Sequence, residues 1–223
     1  MFGMKFEDDV SVPEEITEIR VTGGTGSVEV RPGPASAVTI HRTVHHFTPF
    51  RERPGPTHRV DGTVLHLDTN QGTSFPFFVA VDYVVDSPPG VRVVGGLSSG
   101  RFRLADVSTV DIETSSGSIA LTGATGDVTA KSSSGSITGR QLHSARIDAG
   151  TTSGRVSLDL AEPADVSAHA SSGSIALTVP DSHYRIDTKV STGRTRVDVP
   201  NDPSGPNHLD LRTTSGSITV TRR

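Results

Sequence analysis

The chain has 223 residues and a net charge of −4, with 4% aromatic residues and neither cysteine nor tryptophan. The missing cysteines exclude disulfides, thiolate-bound clusters and cysteine nucleophiles, and a mildly acidic chain without a basic run speaks against a nucleic-acid partner. No apolar stretch is long enough to cross a bilayer as a helix, and no fingerprint for a nucleotide or other cofactor is present.

The opening stretch, MFGMKFEDDVSVPEEITEIRV, lacks a basic start followed by an apolar run. No secretory signal is expected, and the expected location is cytoplasmic. Residues 19–30 set Ile19, Val21, Val28 and Val30 around Gly26. This alternation of apolar and polar residues predicts two short strands meeting at a Thr-Gly corner.

Residues 31–90 break that rhythm. AVTIHRTVHHF, DGTVLHLDT and FFVAVDYVVDS read as strands, TPFRERPGPTHR as an exposed loop and SPPG as a turn. Most of the aromatic residues fall here: Phe47, Phe50, Phe75, Phe77, Phe78 and Tyr83. Residues 1–90 are therefore expected to form a first coil and an irregular β-rich cap with a small core of its own. The alternative is that the aromatic cluster binds a partner. His41 and His45 share one face of a predicted strand and His46 takes the other, while His58 and His66 lie further on. Residues four apart on a strand are roughly 13 Å from each other, too far to share one ion, so no metal is expected.

From residue 91 to 223 a phrase recurs: Ser or Thr, then Gly, then Ser or Arg. With Gly26 the central glycines are Gly100, Gly117, Gly135, Gly154, Gly173, Gly193 and Gly216. From Gly100 their separations are 17, 18, 19, 19, 20 and 23 residues. Seven positions before them stand Ile19, Val93, Val110, Val128, Ile147, Val166, Ile186 and Leu209; two after them, Val28, Phe102, Ile119, Ile137, Val156, Ile175, Thr195 and Ile218. Aliphatic files at strand spacing on both sides of a glycine predict that each repeat turns a corner there, where positive φ is available. The hydroxyl directly before each glycine is expected to bond the backbone of the bend.

Like columns at a fixed period imply like stacked over like. The expected fold is all-β: a right-handed parallel β-solenoid of about 17–23 residues per coil, one elongated domain with its regular part at 91–223. An antiparallel meander would need Asn-Gly or Asp-Gly hairpin turns, which the corners lack. Asp111, Asp148, Asp187 and Asp210 fall on an outer face, interrupted by Thr129 and Ser167 and outside any calcium-repeat frame. Glu113, Lys131, His169, Lys189 and Arg212 share the position four before the glycine and predict an outer stripe. The last segment, HLDLRTTSGSITVTRR, is a complete repeat with no cap after it. Its free edge suggests end-to-end self-association.

The phrases Thr-Ser-Ser-Gly-Ser-Ile-Ala-Leu (114–121), Ser-Ser-Ser-Gly-Ser-Ile-Thr (132–138), Ala-Ser-Ser-Gly-Ser-Ile-Ala-Leu (170–177) and Thr-Thr-Ser-Gly-Ser-Ile-Thr-Val (213–220) resemble the bacterial putative-adhesin β-strand-repeat family. That is a domain family of unknown function. Pro-Pro-Gly-Val-Arg-Val (88–93) resembles its approach to the first regular coil. The resemblance implies a β-solenoid without established catalytic residues. The expectation is a non-enzymatic scaffold or interaction protein with an unknown protein or glycan partner. One alternative is an adhesin module that binds through an outer strand face. Another is a β-helix carbohydrate-active enzyme, which would need a carboxylate pair in a walled cleft.

Overall fold

A computed structural model describes residues 4–34, 37–46, 58–69 and 79–223. Among these residues every regular element is a strand. The N-terminal strands are β1 (Met4–Val12), β2 (Glu18–Pro32), β3 (Val38–His46), β4 (His58–Asp61), β5 (Val64–Asp68) and β6 (Val79–Ser87). The middle of the chain forms β7 (Arg92–Ala105), β8 (Val110–Thr122), β9 (Val128–Ser134), β10 (Ile137–Leu142), β11 (Arg146–Ser153) and β12 (Val156–Leu160). β13 (Asp165–Ser172), β14 (Ile175–Val179), β15 (Tyr184–Val197) and β16 (Asn207–Arg222) complete it.

Successive repeats pair in parallel and in register. Ile19 faces Val93, Val93 faces Val110, and the file runs on through Val128, Ile147 and Val166. After the corner, Val28, Phe102, Ile119, Ile137, Val156, Ile175 and Ile218 form the matching file. Both files are buried and belong to one continuous core. The parallel pairing excludes the meander, in which the two halves of a repeat would pair with each other. The return links stack as well: His143 N–H donates to Ala124 O at 2.8 Å, and Ala161 N–H to Leu142 O at 2.8 Å. Where the apolar file breaks at Gly139, the side chain of Leu142 fills the space: a Cβ on Gly139 would lie 2.6 Å from Leu142 Cδ1.

All eight corner glycines lie on one ridge. Gly26, Gly100 and Gly117 are register partners, as are Gly216 and Gly193. Between them, a Cβ on Gly135, Gly154, Gly173 or Gly216 would fall 1.6–2.0 Å from the carbonyl oxygen of the preceding corner glycine. The hydroxyl directly before each glycine is not the one that binds the bend. It is exposed on the outside of the corner. In three repeats the residue three before the glycine takes that role, because strand parity turns it inward beside the neighbouring corner. Ser132 Oγ donates to Gly117 O at 3.2 Å, Thr151 Oγ1 to Gly135 O at 3.1 Å and Thr213 Oγ1 to Gly173 O at 3.1 Å. Thr114, at the same place in β8, buries its hydroxyl without a partner among the described residues.

Ala170 lies in register between Thr151 and Thr213 and has no hydroxyl to offer. Ala170→Thr is expected to add the missing bond to Gly154 O. The gain should be about 0.5–1 kcal/mol, read as a rise of a few degrees in thermal midpoint. A lower midpoint would show that the file has no room for the side chain.

Two features depart from the sequence reading. The C-terminal repeat is not the end of the stack. β16 lies between β13 and β14 on one side and β15 on the other, with Leu209 facing both Val166 and Ile186. Among the described residues the outermost repeat is β15, so the free edge expected at the C-terminus belongs to its post-corner half; before the corner Asn201 bridges Tyr184, and its Oδ1 accepts from Ile186 N–H at 2.8 Å. The inward positions of β15 explain the exchange. Thr188 and Thr195 occupy places where interior repeats carry mostly aliphatic or small residues, and both are exposed. A hydroxyl suits a rung covered on one side only. The second departure is at the other end. β5 and β6 both run parallel to β2, with Leu65 facing Ile19 and Tyr83 facing Val28. They make a further rung without a Ser-Gly corner. β3 and then β1 extend it antiparallel, and β4 folds back on β5.

Candidate functional site: a groove across the outer face

Strand parity sends the residues six, four and two before each glycine to the outer face. In the stack these positions form three parallel ladders. The middle one runs Glu113, Lys131, Gly150, His169, Arg212 and Lys189, all register neighbours. The predicted stripe is therefore real, with Arg212 ahead of Lys189 because β16 is inserted before β15. On one side lies the acid-bearing ladder of Asp111, Thr129, Asp148, Ser167, Asp210 and Asp187. On the other lies a ladder of hydroxyls that sequence reasoning passed over, including Ser133, Thr152, Ser171, Thr214 and Ser191. Its signal was the same period of two, read outward from the corner.

The middle and hydroxyl ladders, with Asp148 and Ser167 from the acid-bearing one, line an open groove of about 820 Å³. Its floor is Gly150, where a Cβ would meet nothing within 4 Å. Long side chains on both neighbouring rungs make this single glycine a notch. Lys131 Nζ stands 3.9 Å from Asp148 Oδ2. Arg212 Nε donates to Asp210 Oδ1 at 2.7 Å, and that bond with its charge raises the guanidinium's pKa. His169 Nε2 is 2.9 Å from Ser167 Oγ. Lys189 has no ion-pair partner among the described residues. The groove thus offers cations, carboxylates and hydroxyls at the inter-strand spacing of about 4.8 Å.

Residues 93–222 match the Toastrack DUF4097 family model. The chain belongs to the Toastrack DUF4097 family. The matched Toastrack span contains the stacked Ser-Gly repeats and the ridge of Gly100, Gly117, Gly135, Gly154, Gly173, Gly193 and Gly216. The chain is also similar to two solved structures. One is a putative cell adhesion protein from Clostridium sporogenes, with 12% identity, a TM-score of 0.39, and coverage of 99% of this chain and 100% of that one. The other is a putative adhesin from Bacteroides fragilis, with 12% identity, a TM-score of 0.39, and coverage of 98% and 97%. No curated protein matches the chain.

Outside the matched Toastrack region, His41 and His45 are held by carboxylates on the outer face of the N-terminal strands. His41 Nδ1 lies 2.7 Å from Asp9 Oδ1 and its Nε2 3.0 Å from Asp86 Oδ2. The bond to Asp9 and then that to Asp86 raise its pKa. Asp86 is held below the usual carboxylate range, first by its hydrogen bond from Arg31. His45 Nε2 is 3.1 Å from Asp82 Oδ2. Burial, and then the charge of Arg42, lower the pKa of His58. Among the described residues no three such groups converge on one point. Of the aromatic cluster, Tyr83 is buried in the β6 rung and donates to Asp68 O at 2.8 Å. Phe47, Phe50, Phe75, Phe77 and Phe78 lie outside the described residues.

Proposed function

We propose that this chain is a non-enzymatic binding scaffold whose outer groove takes an extended partner, a glycan or a protein segment, lying across the rungs. The observation that carries this reading is the groove itself: polar side chains in register across successive repeats, with a notch at Gly150. A repeat surface of this kind suits a ligand that is itself periodic. The same reading takes the stack as a right-handed parallel β-solenoid, supported by the in-register pairing and by the handedness of parallel crossovers.

Ser167 and His169 have the spacing of a nucleophile and its base. They sit on an open strand face with free access to water, which favours binding over catalysis.

The test uses the same floor. Gly150→Gln places a side chain where nothing obstructs it and should leave the melting temperature unchanged within a degree or two. Screened on a glycan array and in pull-downs beside the unaltered chain, this variant should lose about tenfold or more in affinity for whatever the chain captures. A partner held equally well by both proteins, or sugar released from a captured glycan, would count against the proposal.

A further inference from the structure

The geometry points to a second copy of this chain as the occupant of the β15 edge, with β1 of one molecule pairing in parallel beside the post-corner half of β15 of the next. Among the described residues the post-corner half of β15 pairs only with β16, and β1 only with β3; the bridge from Tyr184 to Asn201 lies before the corner. Each end of the post-corner sheet therefore presents a row of backbone donors and acceptors.

Strand direction permits the junction. From β6 to β15 every neighbour across this sheet is parallel. β3 reverses the direction and β1 reverses it again. A copy translated along the stack thus offers β1 to β15 as one more parallel strand.

Side-chain parity permits it too. Val10 faces Ile40, Ile40 faces Val85 and Val85 faces Val30, so Val10 belongs to the inward file. At the other end Val197 continues the same file beyond Val220. Both valines are only partly buried within one molecule. Setting Val10 against Val197 places Glu7 against Arg194 and Asp9 against Arg196, all on the outer face. The side chains of Glu7, Asp9 and Arg196 are 63%, 74% and 74% exposed. Each already has a surface partner: Lys5 for Glu7, His41 for Asp9 and Asp198 for Arg196. Such exposed pairs are weak and readily shared.

Charge selects this arrangement over its rival. Two β15 edges meeting about a two-fold axis would bring arginines to arginines, and like charges directly opposed destabilise a strand pair. The acidic β1 edge is the complement. Because the contact joins unlike surfaces by translation, it extends end on end and does not close into a dimer.

Sedimentation velocity on the full chain tests this. At low salt, association should grow with concentration past the dimer, and added salt should weaken it. The Arg194→Glu/Arg196→Glu chain and the Glu7→Lys/Asp9→Lys chain should each self-associate about tenfold or more weakly. Mixed in equal amounts they should associate again, because every junction in an alternating series is then oppositely charged. Circular dichroism melting verifies that each variant is folded, and Glu7→Lys alone serves if replacing Asp9 disturbs His41. A chain that stays monomeric at every concentration in low salt overturns the proposal. So does a closed dimer untouched by Glu7→Lys/Asp9→Lys, which would assign the β15 edge to two-fold pairing.

Discussion

Ile175→Asp is expected to unfold the chain at room temperature or bring it close to unfolding. Ile175 is 1% exposed and stands in register between Val156 and Ile218. A carboxylate there would be walled by aliphatic side chains above and below, with no cation in the file to answer it. The cost combines lost apolar burial with the desolvation of an unpaired charge, about 4 kcal/mol or more. That is a large share of the stability of an ordinary domain, which is roughly 5–15 kcal/mol. Ile137→Asp, at 0% exposure in the same file, should behave alike. The defect has a pH signature. Burial raises the pKa of the introduced acid, so its penalty is full above that pKa and eases as the pH falls through it. The gap in thermal midpoint from the unaltered chain should therefore narrow on acidification. Ser118→Ala is the control. Ser118 Oγ accepts a bond from Arg101 Nε at 3.1 Å on the exposed face, and its loss should stay within about 0.5 kcal/mol. Equal tolerance of both changes in a melting experiment would contradict the inward assignment of the aliphatic file.

The stacking was legible because two signals coincide in each repeat. The alternation around the glycine names the buried side of each strand, and the glycine marks where the strand turns. When both recur every 17–23 residues, register follows without any knowledge of tertiary contacts. Order along the stack does not follow in that way. A rung's place depends on how well its inward residues are covered there, and β16, aliphatic at Leu209, Leu211, Ile218 and Val220, takes the interior place between β13/β14 and β15. The trace in the sequence is slight: the longest separation, 23 residues between Gly193 and Gly216, and hydroxyls at Thr188 and Thr195. The rung made by β5 and β6 was hidden for the opposite reason. Leu65, Leu67, Tyr83 and Val85 occupy the right columns, but no Ser-Gly phrase joins them.

The groove was half legible. Its middle ladder can be read as the residues four before each glycine. Its depth depends on Gly150 lying between Lys131 and His169, a fact about neighbouring rungs that a column of residue types does not convey. The role of Ser132, Thr151 and Thr213 was hidden too. A hydroxyl three before a glycine looks like a solvated strand residue until the next corner carbonyl is placed beside it.

Gly173→Ala is the second change with a large expected effect, and it tests the ridge. Gly173 has φ +158°, and a Cβ built on it would lie 1.6 Å from Gly154 O and 2.8 Å from the carbon of the same carbonyl. Both obstacles are backbone, so no rotamer change relieves them. The carbonyl cannot retreat freely either. Gly154 N–H is bonded to Ser172 O at 3.1 Å, and Gly173 N–H to Ser215 O at 2.9 Å, which ties three successive rungs at this corner. To admit one methyl group the chain must part the ridge and loosen bonds on both neighbours. The expected cost is about 3 kcal/mol or more, far above an ordinary glycine-to-alanine change. Gly150→Ala supplies the comparison one rung away. Its Cβ would meet open space on an extended strand, and the added side chain lowers the entropy of the unfolded chain, so stability should hold or rise by a few tenths of a kcal/mol. The same methyl group is then destabilising at the ridge and harmless on the groove floor. If denaturant titration gave the two variants equal midpoints, carbonyl-over-glycine contact would not be what holds the corners in register.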